Sequence, residues 1–153
     1  MEARPDRTKI IESFDGDSFF LSNFAESPFV FQGKSYATVE HAYQAAKVQS
    51  PENHEKVRIA LTPAQSKILG RELADRDDWH EVKLRTMETF LFLKFRQNPC
   101  LKQELFDTGE AELQEGNTWG DHYWGICGGK GENHLGRLLM QVRDTLRGEG
   151  NSN

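Results

Sequence analysis

The stretch Thr38–Lys47 reads Thr-Val-Glu-His-Ala-Tyr-Gln-Ala-Ala-Lys and predicts a helix that carries a stripe of polar groups. At about 100° per residue, Glu40, Gln44 and Lys47 share one face, and a mostly apolar face adjoins it. Over about 10 Å of helix axis, this stripe presents a carboxylate, an amide and an amine. Taken alone, the stripe fits a solvated charged surface better than one wall of a small-molecule site.

Length and composition predict one globular domain over residues 1–153, with its core at about 10–147 and a frayed tail at 148–153. The chain is 37% hydrophobic and 28% charged, which argues against wholesale disorder. No apolar run reaches the roughly 18 residues of a membrane helix, and the N-terminus lacks a signal-peptide pattern. Two distant cysteines, Cys100 and Cys127, favour a reducing compartment. We therefore expect a cytoplasmic protein.

The net charge of −5 bears on the class of partner. It argues against an extended electrostatic grip on a nucleic-acid backbone. It still leaves room for a local basic pocket that binds a single nucleotide.

The order of the predicted elements indicates an α+β fold, mainly helical, with a small N-terminal β-hairpin region. Alternating aromatic residues predict strands, including a hairpin around Gln32-Gly33-Lys34. Apolar periodicity and capping residues predict the helices that follow, with Thr38 capping the first and Thr62 the third. The predicted strands are Ile10–Phe14, Phe19–Phe24, the hairpin strands Phe29–Phe31 and Ser35–Tyr36, and Glu112–Glu115. The later predicted helices are Glu52–Leu61, Pro63–Ala74, a long one capped by Asp77 or Asp78 that stops before Pro99, Leu101–Phe106 and His134–Arg147.

Residues 117–136 form a second unusual segment, rich in glycine and tryptophan. Glycines allow close backbone approach to a ligand, and Trp124 offers a flat face for a base. The loop leads into a helix near Asn133, whose first N–H groups we expect to be open to a phosphate, with Lys130 adding charge. The segment therefore fits a nucleotide-binding loop and a tight loop capped by tryptophans equally well.

The common nucleotide-binding motifs do not describe this loop. A Walker A motif ending at Lys130 requires glycine where Trp124 stands and Ser or Thr where Gly131 stands. A dinucleotide fingerprint beginning at Gly129 requires glycine where His134 stands.

Four separated motifs, in order and with similar spacing, resemble the YbiA-like, or NADAR, family over about residues 10–147. The resemblance implies a compact α+β domain with N-glycosidase activity on ribosyl–nitrogen bonds. One branch of that family acts on early riboflavin-pathway intermediates, and another removes ADP-ribose from guanine bases modified by a DNA-targeting toxin. The motifs are Ser22–Phe24, Glu40–Lys47, Asp121–Gly125 and Gly131–Gly136.

The chain departs from the family pattern at two places. His122 stands where many members have a small residue, and Ile126-Cys127 replaces more polar residues. These differences bear on the identity of the substrate more than on the type of reaction.

Together with the resemblance, the chemistry of ribosyl C1′–N cleavage indicates which residues form the catalytic site. Breaking a ribosyl C1′–N bond places positive charge on C1′ and negative charge on the base, so a carboxylate and a proton donor or oriented water assist it. A lysine that attacks C1′ would instead form a Schiff base. We predict that Glu40 and Lys47 carry the chemistry and that Asp121 positions ribose hydroxyls or water. The predicted substrate-binding residues are Asn23, Phe24, Tyr43, Gln44, Trp79, Trp124, Gly125, Lys130 and Asn133.

Some neighbouring residues have competing interpretations. Trp79 and Trp119 fit a pocket wall and a core position equally well. His41 is interpreted as structural, and the role of His122 stays open. Neither histidine has a partner at metal-ligand spacing, so we expect no metal and no cofactor.

The favoured function is removal of ADP-ribose from ADP-ribosylated guanine bases of DNA, with a DNA ADP-ribosyltransferase toxin as the associated partner. The first alternative is an N-glycosidase of early riboflavin-pathway intermediates. The second is a non-catalytic module that binds ADP-ribose or a similar nucleotide. A protein-interaction domain is the weakest reading because the acid, amine and aromatic positions all remain filled. No membrane partner is expected.

Overall fold

The computed structural model describes residues 9–150 and divides them into two compact units. The central unit comprises residues 23–99, and the discontinuous unit combines residues 9–22 with residues 100–150. Short two-stranded sheets accompany a majority of helical residues, which confirms the predicted α+β class. The prediction of a single domain stays a prediction.

The central unit begins with the predicted hairpin. Strand β2 (Phe29–Phe31) pairs antiparallel with β3 (Lys34–Tyr36), with Phe29 opposite Tyr36. The two turn residues, Gln32 and Gly33, have φ values of 53° and 80°. Two successive positive φ values are typical of the tight turn that matches the twist of a hairpin.

Four helices follow in the central unit, and capping residues fix where the first three begin. These helices are α1 (Val39–Lys47), α2 (Pro51–Arg58), α3 (Pro63–Glu72) and α4 (Trp79–Gln97). The side chains of Thr38, Ser50 and Thr62 each accept a hydrogen bond from a backbone N–H in the first turn. Asp78 precedes α4 but makes no cap bond, and its carboxylate instead accepts from Arg76 Nε at 2.6 Å.

Helix α1 packs against α2, α3 and α4, so it is buried on both its apolar and its polar faces. Glu40 and Gln44 are each only 6% exposed, which excludes a solvated charged surface for this part of the stripe. His41 is also buried, and its two ring nitrogens lie 2.9 Å from Thr38 Oγ1 and from the carbonyl oxygen of Ala60. These contacts agree with the structural interpretation of His41.

The discontinuous unit contains short parallel strand pairs and two helices. Strand β1 (Ile10–Ile11) pairs with β4 (Glu112–Leu113), and β5 (Gly116–Asn117) pairs with β6 (Ile126–Cys127). Helix α5 spans Pro99–Asp107, and α6 spans His134–Gly150 and packs on β4.

The prediction of a strand at Phe19–Phe24 was wrong. Residues Gly16–Leu21 form a 3-10 helix. The chain enters it through Gly16 at φ 52°, and Ser18 N–H donates to the Asp15 carbonyl at 2.8 Å. The Asp-Gly turn therefore continues into helical backbone and does not reverse the chain into a second strand.

Among residues 9–150, no helix combines the length and the apolar character that crossing a membrane requires.

Candidate functional site

The structure brings together the carboxylate and the amide of the α1 stripe. Gln44 Nε2 donates to Glu40 Oε2 at 2.8 Å, as expected for side chains four residues apart on a helix. The backbone N–H of Glu40 donates to the carbonyl oxygen of Asn23 at 3.1 Å. The predicted residues Asn23, Glu40 and Gln44 therefore form one buried group in the central unit.

Burial raises the pKa of Glu40 above its ordinary value. The Gln44 hydrogen bond and then the charges of Lys67, Arg71 and Lys47 oppose this rise. Removing a carboxylate from water disfavours its charged form, and these four groups compensate that cost only in part. A carboxyl group held in this way has the perturbed pKa that is common at catalytic sites.

This pKa shift predicts a pH-dependent stability. Because the folded state binds the Glu40 proton more tightly than the unfolded state, the free energy of unfolding falls as pH rises from 4.5 through the raised pKa. At pH 7, Glu40→Gln should therefore be more stable than wild type by about 1 kcal/mol. Urea denaturation should show the difference closing below pH 4.5. A constant difference between pH 4 and 7 would contradict the assigned cause.

Lys47 makes two contacts that the sequence did not indicate, and its catalytic role stays a prediction. Its Nζ donates to the carbonyl oxygen of Gly70 at 3.1 Å and lies 3.6 Å from Asp75 Oδ1. Gly70 is in the last turn of α3, where carbonyl groups lack partners within the helix and cations are favourable. Lys47 therefore satisfies the end of α3, and among the three cations its effect on the Glu40 pKa ranks last.

Helix α3 supplies three neighbours of the site that the sequence reasoning missed: Lys67, Gly70 and Arg71. A Cβ atom at position 70 would lie 2.0 Å from Gln44 Oε1, so only glycine allows this close approach. The available signal was the Lys-x-x-Gly-Arg spacing, which puts two cations four residues apart on one helix face with a glycine next to the second. That spacing is unremarkable until the partner helix is known.

Gly70→Ala tests the close approach. The new methyl group should displace Gln44, remove its hydrogen bond to Glu40 and destabilise the fold by about 1–3 kcal/mol, although alanine favours a helix. Chemical denaturation measures the change. Gly148→Ala is the matched control, because a Cβ atom there meets nothing within 4 Å. Equal stabilities for the two variants would contradict a positioning role for Gly70.

The aromatic candidates of the central unit fall into two environments. Phe24 is half-buried, and Lys67 Nζ lies 5.8 Å from its ring centroid. Tyr43 and Trp79 are buried with ring centroids 5.0 Å apart, so Trp79 packs as part of a core. Trp119, in the other unit, is 63% exposed.

Two buried amide oxygens of this group are without a donor among the residues that the structure describes. They are Asn23 Oδ1 and Gln44 Oε1. Asn23 Nδ2 contacts Met87 Sδ at 3.6 Å. Buried acceptors without partners cost free energy, so this group is held together at some expense of stability.

In the discontinuous unit, Asp121 shapes its own loop. Its Oδ1 accepts hydrogen bonds from the backbone N–H groups of Tyr123 at 3.1 Å and Trp124 at 2.9 Å. Asn117 donates to the Asp121 carbonyl and accepts from the Asp121 N–H, both at 3.0 Å. The proposed role of Asp121 in positioning ribose hydroxyls stays a prediction.

The N-terminus of α6 is not open to a phosphate, so that expectation was wrong. The backbone N–H groups of Asn133, His134 and Leu135 donate to carbonyl groups of residues 125, 123 and 124 at 3.3, 3.1 and 2.9 Å. The loop folds back over the helix end and uses the donors that a ligand would need.

The remaining candidates of this loop have mixed environments. Asn133 is buried, and both ends of its side chain bind backbone: Nδ2 donates to Leu113 O at 2.9 Å and Oδ1 accepts from Glu115 N–H at 3.0 Å. Gly125 is buried where a Cβ atom would lie 2.0 Å from Glu115 O. Trp124 is half-buried and Lys130 is exposed. Their roles in substrate binding stay predictions.

The chain is similar to known proteins in both sequence and fold. The model of the NADAR domain matches residues 12–147. The chain is 39% identical to N-glycosidase YbiA of Escherichia coli over 129 residues, which cover 82% of this chain and 80% of that protein. It is also similar to the NMR structure of E. coli YbiA, with a TM-score of 0.83 and 34% identity over 97% of this chain and 94% of that one.

A longer relative is similar over the same region. The chain is 38% identical over 136 residues to a riboflavin biosynthesis protein of Vibrio vulnificus. The match covers 87% of this chain and spans 37% of the length of the Vibrio protein. Because the domain model matches most of the sequence, the resemblance seen in the four motifs is confirmed, and the chain belongs to the NADAR domain family.

Proposed function

We propose that the chain hydrolyses the ribosyl C1′–N bond of a nucleotide-like substrate and that Glu40 is its catalytic carboxylate. The relatives named N-glycosidase YbiA support the class of enzyme, a hydrolase of N-glycosidic bonds. The observation that carries the proposal is the buried Glu40 carboxyl, which accepts a hydrogen bond from Gln44 Nε2 at 2.8 Å. A buried and oriented carboxylate is the group that this reaction requires.

Glu40 can serve the reaction in two ways. As the C1′–N bond lengthens, its negative charge stabilises the positive charge that develops on C1′. It also accepts a proton from the attacking water, whose oxygen bonds to C1′ as the C1′–N bond breaks, and it then returns that proton to the departing base nitrogen. The buried amide of Gln44 supports this placement, because its Nε2 donates to Glu40 Oε2 at 2.8 Å and holds the carboxylate in one orientation.

Direct attack by water fits the site better than a Schiff base with Lys47. Lys47 Nζ is already bonded to Gly70 O and paired with Asp75, and an attack on C1′ would break both contacts. We therefore expect borohydride to trap no adduct during turnover and Lys47→Ala to retain activity within about tenfold of wild type. A trapped adduct that disappears in Lys47→Ala would overturn this choice of mechanism.

The substrate that we propose first is ADP-ribose attached to a single guanine base of DNA, a substrate class that the resemblance to the family implies. Early riboflavin-pathway intermediates are the second candidate, because one relative is named a riboflavin biosynthesis protein. The net charge of −5 disfavours a grip on long duplex DNA and is compatible with both an isolated modified base and a small nucleotide.

A direct comparison of kcat/KM separates the two substrate classes. One assay uses a single-stranded oligonucleotide with one ADP-ribosylated guanine and measures released ADP-ribose. The other uses a phosphorylated ribosylamino-pyrimidine and measures released ribose phosphate. Hydrolysis of the oligonucleotide at least a hundredfold faster would support the first substrate, and the reverse ratio would replace it with the second. Tight binding of both substrates without hydrolysis would identify a non-catalytic reader and overturn the proposed function.

A further inference from the structure

Lys67 and Arg71 stand on α3 three residues before and one residue after Gly70, the point at which α3 meets the buried amide of the site. Lys67 also lies beside the half-buried ring of Phe24, with Nζ 5.8 Å from the ring centroid. Both cations lower the pKa of Glu40, in agreement with this placement. Two cations and a flat aromatic face therefore lie where α3 meets the site.

Within residues 9–150, Lys67 and Arg71 form no ion pair with an acidic side chain. Four other cations of the unit are each matched with a carboxylate. The pairs are Lys34 with Glu55, Lys47 with Asp75, Arg58 with Glu55, and Arg76 with Asp78.

The negative charge of Glu40 can balance the positive charge of only one of these two cations. One carboxyl group faces two positive charges, so positive charge remains in excess even when Glu40 is ionised. Burial still outweighs the two cations in setting the Glu40 pKa, and no direct ion pair joins either of them to Glu40. A positive excess beside a ribose-binding carboxylate suits a ligand that brings its own negative charge.

The N-terminus of a helix commonly binds phosphate through its first N–H groups, but those of α6 are already hydrogen-bonded. The backbone N–H groups of Asn133, His134 and Leu135 at the start of α6 are hydrogen-bonded within their own loop. Lys47 is bonded to Gly70 O and paired with Asp75. Lys67 and Arg71 are therefore the cations next to the proposed reaction centre that remain available for an anion.

We propose that Lys67 and Arg71 form an anion subsite that binds the phosphate ester of the ribosyl substrate, with Phe24 alongside it. The inference rests on the proposed function and adds which side chains hold the phosphate of the substrate. Arginine binds phosphate oxygens with two parallel N–H donors, and lysine adds a point charge. The phosphate belongs either to a mononucleotide or to the diphosphate of ADP-ribose.

Binding without turnover tests the subsite. Isothermal titration of wild type with ribose 5-phosphate, ADP-ribose and ribose should show that both phosphorylated compounds bind and that ribose binds at least tenfold more weakly. Lys67→Gln and Arg71→Gln should each weaken ribose 5-phosphate binding by about tenfold or more, the usual loss for a charge-assisted hydrogen bond. Arg85→Gln, an exposed arginine on α4, is the matched control and should bind like wild type.

Further variants separate this subsite from an indirect effect on Glu40. Arg71→Lys should bind ribose 5-phosphate with intermediate affinity, because it keeps the charge and loses the paired donors. Equal affinity of wild type for ribose and ribose 5-phosphate would overturn the proposal. So would Lys67→Gln and Arg71→Gln variants that bind ribose 5-phosphate normally and change only the pH profile of kcat. Either result would leave the proposed hydrolysis itself standing, because hydrolysis is measured separately through the released base.

Discussion

Glu40→Gln is expected to lower kcat by about 10²- to 10⁴-fold, the usual contribution of a positioned acid or base, and to change KM by less than about fivefold. Glutamine has nearly the shape of glutamate and can still bond to Gln44, so the ribose should still bind. It cannot accept the proton of the attacking water, and it brings no charge to stabilise C1′. Steady-state release of the base with both candidate substrates measures the effect.

Glu52→Gln is the matched control for this loss, because Glu52 is an exposed glutamate in the first turn of α2. It should retain wild-type kcat. The expected gain in stability of Glu40→Gln at pH 7 also separates an effect on catalysis from an effect on folding. A variant that is folded and more stable than wild type, yet inactive, cannot owe its loss of activity to unfolding. A Glu40→Gln enzyme with kcat within threefold of wild type would remove Glu40 from the mechanism.

Asn133→Ala is expected to destabilise the protein by about 3–5 kcal/mol. The side chain satisfies two backbone groups, Leu113 O and Glu115 N–H, and losing it leaves both without these partners at about 1–3 kcal/mol each. Alanine also carries a penalty of about 1 kcal/mol at the observed φ of 54°, a region that asparagine tolerates better. Urea denaturation measures the total.

Asn133→Gly divides this loss into its two causes. Glycine adopts the positive φ without strain but lacks the amide, so it should recover only about 1 kcal/mol relative to alanine. If Asn133→Ala unfolds at the wild-type urea concentration yet binds ribose 5-phosphate more weakly, then Asn133 acts on the ligand and its structural role here is wrong.

Features encoded by neighbouring residues could be predicted from the sequence. The caps Thr38 and Thr62, the hairpin turn at Gln32-Gly33 and the side-by-side placement of Glu40 and Gln44 depend on residues at most four positions apart. The structure confirms each of them. Family motifs added the class of reaction, which helical periodicity alone could not supply.

Features that depend on distant residues were missed. Gly70 matters because it meets Gln44, 26 positions earlier in the chain, and Lys47 bonds to the end of α3 because the two helices pack together. The N-terminus of α6 looked open because the sequence does not show that carbonyl groups of residues 123–125 turn back onto it. Each of these features depends on tertiary packing. Because the N-terminus of α6 is hydrogen-bonded, we now expect the phosphate contact on α3.

The dependence of hydrolysis on one buried carboxylate can be measured directly by following Glu40 through its titration. The ¹³C resonance of the Glu40 side-chain carboxyl, recorded by NMR from pH 3 to 9, gives its pKa in the free enzyme, and the pH profile of kcat/KM gives the pKa of the group that the free enzyme requires in its ionised form. We expect both values to lie above 4.5 and to agree, with kcat/KM rising as Glu40 ionises. A Glu40 pKa at or below 4.5, or a kcat/KM that stays constant while Glu40 titrates, would contradict its role as the catalytic carboxylate.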